Sequence, residues 1–515
     1  MGTQAVSNQA AAGHRHHQHQ QQEQIVVDPF TSYSNYLLLP EKHPPNSSSS
    51  LVITTTAKLH RMDCHDLHHD HQYLSSEEVI RIAGARYLSR STSSSSSHDD
   101  LSNMLTCNSD DEVSQEAMKM VDLVENLVAA SDRVARNDYD QAAALLKECK
   151  RSCSAAGNAI QRLVFYFSEA LQERMINSQT PRPPAGGWSS SSSSVDRHIH
   201  QLASCLPMGV ASQFAGVQSI VDEVTTGGPK RKRVHIIDLS LRNGAQWTIL
   251  MSALAASSSP PQRLKITAVG SQLDDSSSSS RQKQMMEETG NRLASFAATL
   301  NMPFSFHIVM VSELSDLKVH MLGLHADYDD EEEEEAVAVY LDYVPRKLIR
   351  SPTEFDKLMG TIKSIDPDVV VVTEVEANHN SPAFGSRFME ALYFFNAYLD
   401  ATQAYFDHDC NCRMAVESVY CGESIRNIVA CEGEERVVRN VPLRAWRLFF
   451  KRFGMVEVEM SSSCFHQARL VIHNHNIINA GCRDLCTVER DGDKSLVLGW
   501  KGTRLHSVSA WKFTT

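Results

Sequence analysis

The stretch Val234-His235-Ile236-Ile237-Asp238-Leu239 constrains the fold of this chain more than any other. It is a short run of branched apolar residues broken by one histidine and ended by an acid. A buried parallel strand reads this way when its carboxyl end opens onto a crevice. Gly244 then permits a tight turn, and the residues from Gln246-Trp247 to Ala255 have helical composition. Strand, turn and helix form the first half of a βαβ unit.

The chain has 515 residues, enough for one large α/β domain with additional segments. Its net charge of −13 sets it against nucleic acid and anionic membranes unless a local basic patch dominates. Twelve cysteines are scattered with no CxxC pair or zinc-ribbon spacing, so reduced, mostly buried thiols are expected. No apolar run approaches a membrane span, and the Gln- and His-rich start does not read as a signal peptide. A soluble intracellular protein is expected.

Residues 1–115 read as a disordered, low-complexity region with His/Gln and serine tracts. One island, residues 75–88, opens with the capping-box pattern Ser75 to Glu78 and carries apolar residues at helical spacing. It either folds on a partner or docks on the chain's own domain. The histidines near Cys64 lack a second ligand cluster and read as a solvated polar tract.

A helical cap is expected over residues 116–225. Its first helix carries Met120, Leu123, Val124, Leu127 and Val128. Asp140 caps a second over Gln141–Cys153, and a third spans Ala159–Met175. A Ser/Pro-rich insert, residues 178–196, interrupts the cap before a helix over Leu206–Val224. The core, residues 230–515, alternates apolar segments at 264–269, 304–311, 336–341 and 369–375 with helical stretches, which predicts a doubly wound parallel sheet. The run Asp329 to Glu335 reads as an acidic loop. Three helices follow, at 383–400, 413–430 and 443–453. Period-two patterns at 456–460, 468–472, 495–500 and 505–513 then read as antiparallel edge strands.

From about Glu116 to Phe513 the residues resemble the GRAS domain of plant transcriptional regulators. Val234, His235, Ile236, Ile237 and Asp238 with Gln246 and Trp247 look like the family's central motif. An apolar helical block at Arg292–Leu300 follows. Pro382, Phe394-Phe395, and the block from Arg426 to Glu432-Gly433 with Arg436 resemble the next motif region. Trp446, Gly454, Trp500 and Ser509-Ala510-Trp511 complete the pattern in the family's order. Asn243, Thr248 and the pair Phe394-Phe395, in place of a Phe-Tyr pair, depart from the usual residues, and the tail carries no DELLA motif, so the likeness is to a DELLA-like C-terminal domain only. The resemblance implies a Rossmann-like, methyltransferase-like core and a helical cap used for homo- or heterodimerisation. It also implies action in the nucleus, with some presence in the cytoplasm open, through DNA-binding transcription factors and other GRAS-family proteins.

No catalytic, metal or cofactor residues are assigned. The turn after Asp238 has one glycine, two leucines and an arginine, unlike a cradle for S-adenosylmethionine, and Asp238 reads as a structural acid. Glu374 and Glu376 could meet Asp238 across the lip of the sheet, but no nucleophile or metal spacing accompanies them. His235 reads as a core histidine bonded to the neighbouring cap, and Trp446, Trp500 and Trp511 as core packing. Lys230, Arg231, Lys232 and Arg233 form a basic run with two readings, a nuclear import signal or a solvated loop. Three functions follow in order. The first is a co-regulator or scaffold binding transcription factors, with DNA contacted indirectly. The second is a direct, dimeric DNA-binding factor, and the third an S-adenosylmethionine-binding enzyme.

Overall fold

The computed structural model of the chain describes residues 74–91, 115–179, 206–226, 231–271, 276–324, 334–406, 409–474, 480–492 and 494–514. The His/Gln and serine tracts, the Cys64 histidines, residues 180–196 of the insert, residues 329–333 of the acidic run and Lys230 lie outside them.

Among the described residues nine strands form one sheet, eight of them in the order β3-β2-β1-β4-β5-β9-β8-β7 and the ninth, β6, paired with β9. β1 (Arg231–Asp238), β2 (Arg263–Ser271), β3 (Phe304–Val311), β4 (Glu334–Asp342) and β5 (Val369–Val375) are parallel. The chain leaves β1 for β2 and β3 on one side and returns to β4 and β5 on the other. The strand order therefore reverses between β1 and β4, which opens a crevice at their carboxyl ends. β9 (Thr503–Phe513) runs antiparallel to β5. Its first half pairs with β8 (Ser495–Trp500) and its second half with β6 (Met455–Val458). β7 (Cys486–Asp491) closes the edge.

Alternate side chains of each strand enter separate cores. Val234, Ile236, Ala338, Tyr340 and Val371 face the cap, together with helices Pro207–Thr226 and Ala245–Ala255. Ile237, Val339, Leu341, Val370 and Val372 face helices Pro352–Ile365 and Leu443–Arg452, where Phe355, Trp446 and Phe450 are buried. Gly216 lets the Pro207–Thr226 helix lie close on the sheet, since a Cβ there would sit 3.2 Å from Val371 Cγ1.

The cap helices are Gln115–Ala135, Tyr139–Ser152 and Ala159–Gln179. The second is capped by Asp138, whose carboxylate accepts from the Gln141 amide, and not by Asp140. Asp138 ends the turn that Asn137 makes at φ 61°, so it is the last residue outside the helix. Residues Ser76–Ser91 form a helix with a reciprocal Ser75–Glu78 capping box. It docks on the chain's own cap, burying Val79, Ile80 and Ala83, while Arg86 pairs with Asp122 and Glu125 at 2.9 and 3.0 Å.

Two edge features differ from expectation. Residues 468–472, read as a strand, lie within the helix Ser462–Asn474. A stretch of five that is apolar but for Arg469 suits either element by pattern, and the Ser461 hydroxyl, accepting from the Cys464 amide, starts a helix. β7 escaped the sequence reading because an edge strand that is half-exposed carries Thr487, Glu489 and Arg490 instead of an apolar run. The thiols are also less buried than expected. Among the described residues Cys149, Cys421 and Cys464 are buried, Cys410 is exposed, and none of the nine is in a disulfide.

Candidate functional site at the strand-order switch

The crevice at the β1/β4 switch is built from the ends of those strands and the loops that follow. Asp238 ends β1 fully buried, and its carboxylate is taken up within its own turn. Oδ1 accepts from the Ser240 amide at 2.8 Å and its hydroxyl at 3.2 Å, and Oδ2 accepts from Trp247 Nε1 at 2.9 Å. Burial pushes this carboxyl up to about 6, against those hydrogen bonds. Gly244, at φ 71°, makes the turn into the helix that carries Trp247, whose ring meets Tyr340 of β4 edge-on at 5.1 Å. Gln246 Nε2 lies 3.5 Å from Asp238, a marginal contact.

An S-adenosylmethionine site on this architecture needs a glycine-lined turn and a free carboxylate for the ribose. Here Leu239 is buried in the turn, Arg242 is turned to Asp342 and the Tyr343 ring, and neither oxygen of Asp238 is free. The residues present do not fit that cofactor. Among the described residues, no group of three His, Cys, Asp or Glu side chains could hold a metal ion.

Glu374 and Glu376 do not meet Asp238. The register Asp238↔Tyr340 and Tyr340↔Val371 puts Asp238 level with Val371 on the cap face, whereas Glu374 is three residues further and on the opposite face. Glu374 instead accepts from the Arg346 amide at 3.0 Å, and Glu376 caps the Leu443–Arg452 helix through the Leu443 amide at 2.8 Å. His235 likewise does not reach the cap. Its Nε2 is 2.8 Å from Thr267 Oγ1 on β2, and the Glu335 carboxylate lies 3.8 Å from Nδ1, too far for a hydrogen bond. Burial lowers the pKa of His235 and favours the neutral ring.

The other motif residues fasten elements together. Arg426 grips Glu173 of the cap with two bonds of 2.6 Å, and Glu432 accepts from Arg174 at 2.8 Å and from Arg387. Pro382 lies exposed just before helix Phe384–Tyr405, and Gly433 takes a φ of 52° after Glu432. Trp500 Nε1 donates to Asp400 at 2.6 Å. Trp511, next to buried Ala510, donates to Ser509 at 2.9 Å and packs 4.9 Å from Phe450, which stacks on Trp446. Of the basic run, Arg231, Lys232 and Arg233 open β1, with Arg233 buried.

Beside Asp238 lies a set that sequence reasoning missed. Asp342 ends β4 and pairs with Arg242 at 3.3 Å. Burial pushes the Asp342 carboxyl up, and Arg242 pulls it back. Tyr343 takes a φ of 57°, carries Arg242 and Arg346 over its ring at 5.0 and 4.8 Å, and bonds His506 Nδ1 at 2.8 Å. Burial, then the charge of Arg346, holds His506 down to about 3. Burial lifts Glu374 to about 7 despite Arg346. The available signal was an arginine four residues past a strand-ending acid, Asp238 to Arg242 and Asp342 to Arg346, at the crevice end of the sheet.

Fold and site together define a Rossmann-like α/β protein with a helical cap, in which the usual cofactor turn is closed by its own side chains. The model of the GRAS domain family matches residues 123–512, and the chain belongs to this family of plant transcription regulators. It is 32% identical to the DELLA protein RGL1 of Arabidopsis thaliana, over 76% of this chain and 70% of that protein. It is 31% identical to the DELLA protein DWARF8 of Zea mays, over 76% of this chain and 60% of the other. Among solved structures, SCL7 in Oryza sativa superposes with a TM-score of 0.63 at 25% identity, covering 76% of this chain and 99% of that one.

Proposed function

We propose that this protein is a nuclear transcriptional co-regulator and not an enzyme. It acts as a scaffold for DNA-binding transcription factors and for other GRAS-family proteins, with its cap as the dimerising element. Family membership carries this reading. Two features support it. A net charge of −13 disfavours unaided binding to DNA. The β1 turn spends its carboxylate on Ser240 and Trp247, which leaves no cofactor cradle there.

A salt titration of DNA binding by the full chain, alone and with a candidate partner factor, tests this. Binding to DNA only in the partner's presence is expected. Discrimination between sequences by the chain alone, with a steep salt slope, would replace the reading with that of a direct DNA binder.

A further inference from the structure

The crevice beside Asp238 does not close completely. A cavity of about 110 Å³ remains between the sheet and the helix Phe384–Tyr405. A water needs at least about 10–15 Å³ by this measure, so there is room for a molecule of roughly ten non-hydrogen atoms. The two ends of the cavity differ in chemistry. Phe394, Phe395, Tyr398 and Tyr405 supply ring faces and edges from one helix. Arg242, Arg346, Asp342, Tyr343, Asn440 and His506 form the other end, all supplied by the sheet side.

The charges at the polar end do not cancel. Arg242 is paired with Asp342, and burial keeps the His506 ring neutral. Arg346 is the remaining cation. Its guanidinium reaches only the Asn440 amide oxygen, at a long 3.4 Å, and lies over the Tyr343 ring. Its Nε is buried without a hydrogen-bond partner. The buried Glu374 carboxylate accepts from the Arg346 backbone amide, and both it and Asp342 feel the guanidinium's charge, but neither makes an ion-pair contact with it. A planar donor fork left without an acceptor, in a cavity with aromatic walls, is the arrangement that receives a carboxylate on a flat apolar body.

We propose that this cavity binds a small aromatic carboxylate, with Arg346 holding the carboxylate and the rings of helix Phe384–Tyr405 holding the body. Such a ligand touches both the sheet and the cap side, so its binding energy bears on how firmly the two are joined. This site is independent of which transcription factors the protein contacts.

Calorimetric titration of the full chain tests it, with 2-naphthoate, benzoate, the neutral 2-naphthylmethanol, 2-naphthyl phosphate and S-adenosylhomocysteine as probes. The expected result is saturable binding of 2-naphthoate, at least tenfold tighter than the neutral alcohol. Arg346→Gln is expected to weaken it at least tenfold with the melting temperature unchanged. Should that variant fold poorly, Arg346→Lys keeps the charge without the fork and is expected to weaken binding about fivefold in a protein of wild-type Tm. Equal binding of acid and alcohol, no binding of either carboxylate, or an Arg346 variant that binds normally overturns the proposal. Preference for the phosphate reassigns the site to phosphate esters, and preference for S-adenosylhomocysteine returns it to the cofactor class. Either result also overturns the carboxylate.

Discussion

Where the cap meets the sheet domain, three buried charges are unequal in number, and this allows a sharp test. Arg162, on helix Ala159–Gln179, and Glu417 are both fully buried, with Nε 3.1 Å from the carboxylate, and Arg413 lies 3.4 Å from the same carboxylate. Thr402 also donates to Glu417, at 2.6 Å. Arg162 further donates to the carbonyls of Gly157 and Leu399 and to Gln403, at 2.8, 2.9 and 2.9 Å. Two cations thus share one anion. Glu417→Gln leaves two buried guanidiniums without a counter-charge, and stranding a buried charge costs about 3–5 kcal/mol. Arg162→Met leaves a balanced Arg413–Glu417 pair and removes hydrogen bonds worth roughly 1 kcal/mol each, partly offset by burying the thioether. Glu417→Gln is therefore expected to be the more destabilising change, by about 2 kcal/mol, out of the roughly 5–15 kcal/mol that holds a domain together. Calorimetry of the two variants measures the order, and hydrogen exchange of residues 159–179 shows whether the cap loosens first. An equal or reversed order would mean that Glu417 is not the shared counter-ion, and the reasoning would fail.

Three further outcomes are expected. Asp238→Ala strands the Trp247 indole N–H and the Ser240 amide, at about 1–3 kcal/mol for each buried donor. It should lower Tm before it alters any partner contact, and unchanged melting with lost partner binding in a pull-down would make Asp238 an interface residue. Trp511→Ala opens a cavity against Phe450 and should cost about 3–5 kcal/mol by thermal unfolding. A loss below about 1 kcal/mol would contradict its place in the core. His506, at about 3 when folded and near its ordinary 6.5 when unfolded, takes up a proton on unfolding between those values. Its contribution to stability is present above pH 6.5 and is lost as pH falls toward 3. His506→Gln should therefore flatten the acid side of a Tm–pH curve between about pH 6.5 and 4.5, and identical slopes in both proteins would show that the ring already titrates in the fold.

Much of the frame was legible because it is periodic. The branched run at Val369–Val375 and the strand Phe304–Val311 match the observed bounds, as does the helix Pro352–Ile365 with its proline in the first turn. The failures share a cause. Residues 468–472, inside a helix, and β7, a half-exposed edge strand, are short stretches whose pattern does not decide between helix, strand and loop, so tertiary context decided. The facing-carboxylate expectation failed because it took the strand ends as level and ignored parity, which the pairing register alone supplies. The arginine pocket was hidden for a third reason. Arg242, Arg346, Asn440 and His506 are distant in sequence, and only the strand order brings them to one end of the sheet.

The residues that carry the family resemblance are mostly fasteners. Three of the motif tryptophans spend their indole N–H inside the molecule, on Asp238, Asp400 and Ser509 at 2.9, 2.6 and 2.9 Å. Arg426 and Glu432 are occupied in binding cap to core. A side chain whose polar atoms are already satisfied within its own domain has little left to offer a partner, so these positions hold a frame without selecting what binds it. Selection of partners then falls to exposed surface between the fasteners. Helix Leu443–Arg452 shows the division on one element. It buries Leu443, Trp446 and Phe450 against the sheet while Leu448 stays 75% exposed on its outer side. Substituting the inward residues tests the fold, whereas substituting the outward one tests recognition, and a regulator of this construction should show the two kinds of defect separately.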